Sequence, residues 1–196
     1  MIGAIVLAAG SSQRMGRPKA ELPSGPDGRT FVDRIVDTLA ASGVSVVRVV
    51  VAPGRTPRGV NDVVNPNPAA GMLSSVQCGV RALPSGLDAV LVWPVDHPLV
   101  GRETVVSMIK AFGERQAPVV VPTYDGRRGH PVLFAARVLP ELFSADATRG
   151  AAAVVHAHGD RVELAVPDRG VRDDIDTPED YARLIDAPSP ASGPSS

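Results

Sequence analysis

The chain has 196 residues, enough for one well-cored domain, and 44% hydrophobic with 21% charged residues is ordinary for a globular protein. A net charge of −1 leaves no basic excess to hold a phosphodiester backbone, and 4% aromatic content gives little for stacking unpaired bases, so no nucleic-acid partner is expected. The single cysteine, Cys78, excludes an internal disulfide, which suits a reducing, cytoplasmic setting.

Met1 to Leu7 is apolar but far shorter than a membrane span, and it carries no charged leader, so no membrane partner is expected. It reads as a buried strand over residues 2–8. Val32, Ile35, Val36 and Leu39 fall on one face of a helix over residues 31–41. Pro23 to Arg29 before it is turn-rich. After Gly43, the Val-rich run 46–52 suits a strand covered on both faces. Leu73, Val76, Val80 and Leu83 predict a helix that carries Cys78 in the core. Residues 89–93 predict another buried strand, and Val105, Met108, Ile109 and Phe112 another helix. Further strands are expected at 119–121, 132–134 and 162–166, and a last helix at 177–185. Alternating strands and helices imply an α/β fold with a mostly parallel sheet, whose ligands bind beyond the carboxyl ends of the strands. One domain over residues 1–186 is expected, with a Pro/Ser/Ala/Gly tail at 187–196 that reads as disordered.

The loop after the first strand, Leu7-Ala8-Ala9-Gly10-Ser11-Ser12-Gln13-Arg14-Met15-Gly16-Arg17-Pro18-Lys19, is rich in small residues. These let backbone N–H groups approach an anion, while Arg14 supplies a forked donor and Lys19 a point charge. The string is neither a P-loop nor a dinucleotide fingerprint. On composition alone a plain strand-to-helix turn with surface cations fits too.

The string closely resembles the L-A-A-G-x-S-x-R-M-G-x-x-K signature of the MobA-like nucleotidyltransferases, at Leu7, Ala8, Ala9, Gly10, Ser12, Arg14, Met15, Gly16 and Lys19. Asn65-Pro66, Gly71-Met72 and Ser74-Ser75-Val76 resemble a second segment of that family, and Pro94-Val95-Asp96-His97-Pro98 a third. Gly129-His130-Pro131-Val132 and residues 174–180 (Asp-Ile-Asp-Thr-Pro-Glu-Asp) resemble the branch of molybdenum cofactor cytidylyltransferases. The resemblance implies a Rossmann-like, three-layer αβα fold of the nucleotide-diphospho-sugar transferase type. It also implies Mg²⁺, an NTP and a phosphorylated pterin-type acceptor, with a molybdoenzyme or its chaperone as a further partner. Ala9, where a neighbouring branch has Gly, points to CTP.

Asp96 follows a strand, and Pro94 and Pro98 restrict the backbone around it. Mg²⁺ takes oxygen ligands and commonly uses one or two carboxylates plus substrate phosphates, so Asp96 is the leading ligand. Asp174 and Asp176 share a face if their segment is extended, and by similarity Asp176 is the second carboxylate. Thr177, Pro178 and Asp180 read as a helix start with a capping box. His130, bracketed by Gly129 and Pro131, and His97 are expected near the acceptor. His156 and His158 lack metal-pair spacing and read as surface groups.

Nucleotide contacts are thus expected from Leu7, Ala8, Ala9, Gly10, Ser11, Ser12, Arg14, Lys19, Asn65, Gly71, Ser74 and Ser75. Arg14, Lys19 and Asp96 are the expected catalytic residues. An acceptor phosphate is already ionised, so no general base is required, and charge stabilisation carries the reaction. The alternatives are transfer of another nucleotide, GMP included, to another small phosphorylated acceptor, and a catalytically silent nucleotide- or cofactor-binding chaperone.

Overall fold

Seven consecutive residues, Ile2–Ala8, form strand β1, and Ala4, Ile5 and Val6 within it are fully buried. Successive strand side chains point to opposite faces, so both faces of β1 are covered. The structure is a computed structural model that describes residues 1–10, 12–54, 61–145 and 149–185. The tail expected from 187 onward lies outside the described residues.

Helix α1 (Phe31–Ala41) starts at Thr30, whose side chain forms a reciprocal capping box with Asp33. It buries Phe31, Val32, Ile35 and Leu39. Strands β2 (Val46–Val51) and β3 (Asp62–Val64) follow, then α2 (Met72–Arg81) and β4 (Ala89–Pro94). After α3 (Arg102–Arg115) come β5 (Val119–Tyr124), β6 (Arg127–Arg128) and β7 (Val132–Ala135). The short helices α4 (Glu141–Ser144) and α5 (Ala151–Ala157), strand β8 (Val162–Ala165) and helix α6 (Pro178–Leu184) complete the described chain.

Among the described residues these strands form one sheet in the order β3-β2-β1-β4-β7-β5-β6, with β8 beside β5. β1 runs parallel to both β2 and β4, and β7 is antiparallel to β4 and β5. α1 packs on β1, β2 and α3, while α2 packs on β1, β2 and α4, giving the three-layer α/β architecture. The chain steps outward from β1 to β2 and β3, then returns to the other side of β1 as β4. The strand order therefore reverses between β1 and β4, where an open α/β sheet leaves a crevice for ligands.

One expectation about the core needs correction. Cys78 is half-buried rather than a core residue, because α2 turns Leu73 and Val76 inward and aims the thiol at the edge strand, where it donates to the Val64 carbonyl at 3.4 Å. The segment 23–29 is turn-rich as expected, and hydrogen bonds hold it in place. Ser24 is buried, its N–H donates to the Arg29 carbonyl at 2.6 Å, and the Tyr181 hydroxyl donates to the Pro23 carbonyl at 2.9 Å. That last bond, with the stacking of Tyr181 on Phe31, pins α6 to the start of α1. No helix among the described residues is long and apolar enough to cross a membrane.

Candidate active site

At the reversal point Leu7 of β1 pairs with Pro94 of β4, and the Val95 N–H donates to the Leu7 carbonyl at 3.1 Å. The two strands therefore release their loops side by side. The β1 loop passes through Ser12, whose φ of 50° lies in the left-handed region, and then through two short 3₁₀ turns at Gln13–Met15 and Lys19–Glu21. Ser12 holds the curl together. Its carbonyl accepts from the Met15 N–H at 3.0 Å and its Oγ from the Lys19 N–H at 3.1 Å. Ser11 lies outside the described residues.

The curl carries Lys19 back under the β4 loop. Lys19 Nζ hydrogen-bonds Asp176 Oδ1 and lies 3.7 Å from Asp96 Oδ2. Arg14 Nη2 donates to Asp176 Oδ2 at 2.7 Å. The Ile175 N–H donates to the Asp96 carbonyl at 2.9 Å, and the fully buried Ile175 side chain anchors that join. The α6 capping box, Thr177 with Asp180 and Pro178 in the first turn, fixes the chain just beyond Asp176. The hydrogen bond from Lys19, followed by the charges of Lys19 and Arg14, holds the Asp176 carboxyl below the usual carboxylate range.

These groups line a cavity of about 430 Å³ together with Leu7, Ala8, Ala9, Gly10, Ser12, Gly71 and Ser75. Asn65 and Ser74 do not line it. Asn65 is buried, and its Nδ2 donates to Ser74 Oγ at 2.9 Å and Ser75 Oγ at 3.0 Å, while its Oδ1 accepts from the Asn67 N–H at 3.0 Å. The pair braces the start of α2, where Gly71 turns the chain at φ 92°.

A second cavity, of about 660 Å³, adjoins the first. Met72 and Pro94 line both. Neighbouring residues divide between the two cavities: Asp96 faces the first and His97 the second, Ser75 the first and Val76 the second. Asp176 and Asp174 divide in the same way, so they do not share a face. The Asp174 N–H turns back to the Arg172 carbonyl at 3.1 Å, and the segment is not extended there. The rings of His97 and His130 meet in the second cavity, with centroids 4.9 Å apart and planes tilted by 49°.

Residues 4–162 match the MobA-like NTP transferase domain. The chain belongs to the MobA-like NTP transferase family. A relative named "probable molybdenum cofactor guanylyltransferase" from Mycolicibacterium paratuberculosis is 29% identical, over 95% of this chain and 96% of its own length. The crystal structure of Rv0371c from Mycobacterium tuberculosis H37Rv superposes with a TM-score of 0.80 at 25% identity, covering 95% of this chain and 99% of that one. The same protein's complex with manganese superposes with a TM-score of 0.74, also at 25% identity and with the same coverage.

In this MobA-like site the carboxylates suit a divalent cation that shares its coordination with substrate. Asp96 Oδ1 is buried and has no hydrogen-bond partner, and Asp176 stands across Lys19 from it. Among the described residues no three His, Cys, Asp or Glu side chains converge as a metal cage. Mg²⁺ seldom uses such a cage. It keeps waters and takes one or two carboxylates plus phosphate oxygens.

The second cavity is prepared differently. The Nδ1 atoms of His97 and His130 are buried without hydrogen-bond partners. Burial, then the neighbouring His97 and Arg172, push the His130 pKa down to about 4, so its ring is neutral at pH 7. Trp93 Nε1 donates to the His97 carbonyl at 3.0 Å, and the His130 N–H donates to the Val171 carbonyl at 2.9 Å. Arg128, Arg149, Arg172 and His156 also line this cavity, and the reading of the sequence missed all four. Arg128 lies two residues before His130, so its nearness was within reach. The others come from separate segments that only the fold unites. His158 instead pairs with Glu141 at 3.0 Å, away from both cavities.

Proposed function

We propose that the chain transfers CMP from CTP to the terminal phosphate of the molybdenum cofactor and releases pyrophosphate, with Mg²⁺ held by Asp96 and Asp176. The observation that carries this reading is the pair of cavities meeting at Met72 and Pro94. One holds balanced cations and carboxylates at the end of the β1 loop. The other holds arginines, the neutral His130 imidazole and the His97 ring. A nucleoside triphosphate in the first and a phosphorylated heterocycle in the second bring two anions together at the shared wall.

The divalent cation would neutralise charge between phosphate oxygens. The chain's own residues do the rest. Gly10 and the Ser12 curl shape the floor under the phosphates, and Gly71 and Ser75 line the same cavity. Lys19, with its side chain only 11% exposed, sits between the two carboxylates and is placed to follow charge as it builds on the leaving pyrophosphate. Arg14 is 69% exposed and can swing from Asp176 to a phosphate when nucleotide arrives. Asn65 and Ser74 act as braces that position Ser75 and Gly71. His97 and His130 line the cavity that would hold the acceptor. The attacking phosphate oxygen is ionised at neutral pH, so positioning and electrostatic stabilisation suffice.

CTP is assigned through Ala9, which is buried in the wall of the first cavity. Its methyl group narrows the space there and favours a pyrimidine. The guanylyltransferase name of the mycobacterial relative favours a second reading, GTP as donor. The manganese complex of Rv0371c supports the use of a divalent ion. Competition between CTP and GTP for transfer to molybdopterin cofactor, read as kcat/KM, separates the readings. CTP is expected to win. Ala9→Gly should relax the preference only partly, because one methyl group in a pocket is worth about 1–3 kcal/mol. A wild-type preference for GTP would replace the donor and leave nucleotidyl transfer standing.

A further inference from the structure

The two cavities differ in how their cations are compensated. In the first, Arg14 and Lys19 both end on Asp176, and Asp96 lies beside Lys19. In the second, Arg128 is matched by Glu163 at 2.6 Å. Among the described residues Arg149 and Arg172 are not matched. Both are exposed, and among the described residues neither makes a salt bridge with a carboxylate. Among the described residues the Arg172 guanidinium donates to the Arg128 carbonyl, at 2.7 Å. Asp174 supplies a carboxylate to the same wall without pairing with either arginine.

We propose that Arg149 and Arg172 form an anion subsite of the second cavity, which selects acceptors that carry a negatively charged group apart from the attacking phosphate. The inference rests on the reading of that cavity as the acceptor's. The attacking phosphate must reach the nucleotide across the Met72 and Pro94 wall. Arg149 and Arg172 line the second cavity alone, so they meet a different part of the acceptor. A guanidinium without a carboxylate partner is free to grip an oxyanion in a forked geometry. His97 and His130 line the same cavity, with their rings 4.9 Å apart, so the two arginines stand beside further polar side chains there.

The test uses Arg149→Gln, Arg172→Gln and the double variant, each compared with wild type. The full chain is saturated with Mg²⁺ and a non-hydrolysable CTP analogue, and inorganic phosphate is then titrated in by calorimetry. Wild type should bind phosphate at this second position. The double variant should lose about tenfold or more in phosphate affinity, as expected for charge-assisted contacts. Affinity for the nucleotide analogue should change by no more than about twofold, because neither arginine lines the nucleotide cavity. With molybdopterin cofactor as acceptor, KM should rise while kcat holds, the signature of lost acceptor binding. Three results would each overturn the subsite: no phosphate binding by wild type, full affinity in the double variant, or equal loss of phosphate and nucleotide. If wild type releases no pyrophosphate with any NTP, nucleotidyl transfer falls, and the phosphate titration still decides the subsite.

Discussion

A Cβ atom placed on Gly129 would lie 2.1 Å from the carbonyl oxygen of Val171. That carbonyl accepts the His130 N–H at 2.9 Å, so two backbone segments touch where His130 enters the second cavity. Backbone cannot yield as a flexible side chain does. Gly129→Ala should therefore cost about 2 kcal/mol or more, the range for overpacking without room to relax. Urea unfolding would measure it. The remaining folded protein should bind acceptor poorly and nucleotide normally, because the strain falls on the second cavity.

His130 gives the stability a pH dependence of known sign. Its folded pKa is pushed from 6.5 down to about 4, so between those values the unfolded chain binds more protons than the folded one. Stability is unaffected above 6.5 and is lost as pH falls through the window. The slope approaches about 1.4 kcal/mol per pH unit. The depressed carboxyls of Asp176 and Glu163 start from ordinary values of 3.8 and 4.5, so their losses come at lower pH. Denaturant midpoints taken from pH 7 to pH 5 should fall for wild type and stay nearly level for His130→Asn. Parallel curves for the two proteins would remove His130 as the cause.

Gly10 is the complement of Gly129. A Cβ there meets no atom within 4 Å, and the residue lines the first cavity. Gly10→Val should leave the fold and its melting temperature nearly intact while blocking the approach of phosphate to the loop. Calorimetric nucleotide affinity should drop sharply. Unchanged affinity would place the phosphate cradle elsewhere.

The legibility of these features followed their spacing in the chain. The β1 loop, Asp96, His97 and His130 lie in contiguous strings, and strand ends aim such strings at one crevice. The capping box of Thr177 and Asp180 was readable because capping is local chemistry. Strand β3 and helices α4 and α5 were not, because three to seven residues carry too little periodicity. Asn65 and Ser74 were read as nucleotide contacts, yet their hydrogen bonds turn inward to each other and to Ser75. Arg149 and Arg172 were invisible as a pair, since 22 intervening residues separate them and only packing brings them to one wall.

Asp96 tests the metal assignment. Its side chain lies 3.7 Å from Lys19 Nζ and 3.9 Å from His97 Nε2, and its backbone carbonyl makes the bond to Ile175. Alanine keeps that backbone bond, so Asp96→Ala should fold normally. Its kcat should fall by about 10²-fold or more, as when a key electrostatic stabiliser is removed. Manganese bound in the presence of nucleotide, read by electron paramagnetic resonance, should weaken in the same variant. Near-normal turnover in Mg²⁺ would take Asp96 out of the site.

The central claim is transfer between two adjoining cavities, and pyrophosphate release measures it most directly. Purified protein, Mg²⁺ and molybdopterin cofactor are combined with CTP, GTP, ATP or UTP in turn, and pyrophosphate is counted against cofactor consumed. The account predicts release that requires the cofactor, matches it one for one, is fastest with CTP and vanishes in Asp96→Ala. Release that ignores the cofactor, or none with any nucleotide while both ligands bind, would contradict it.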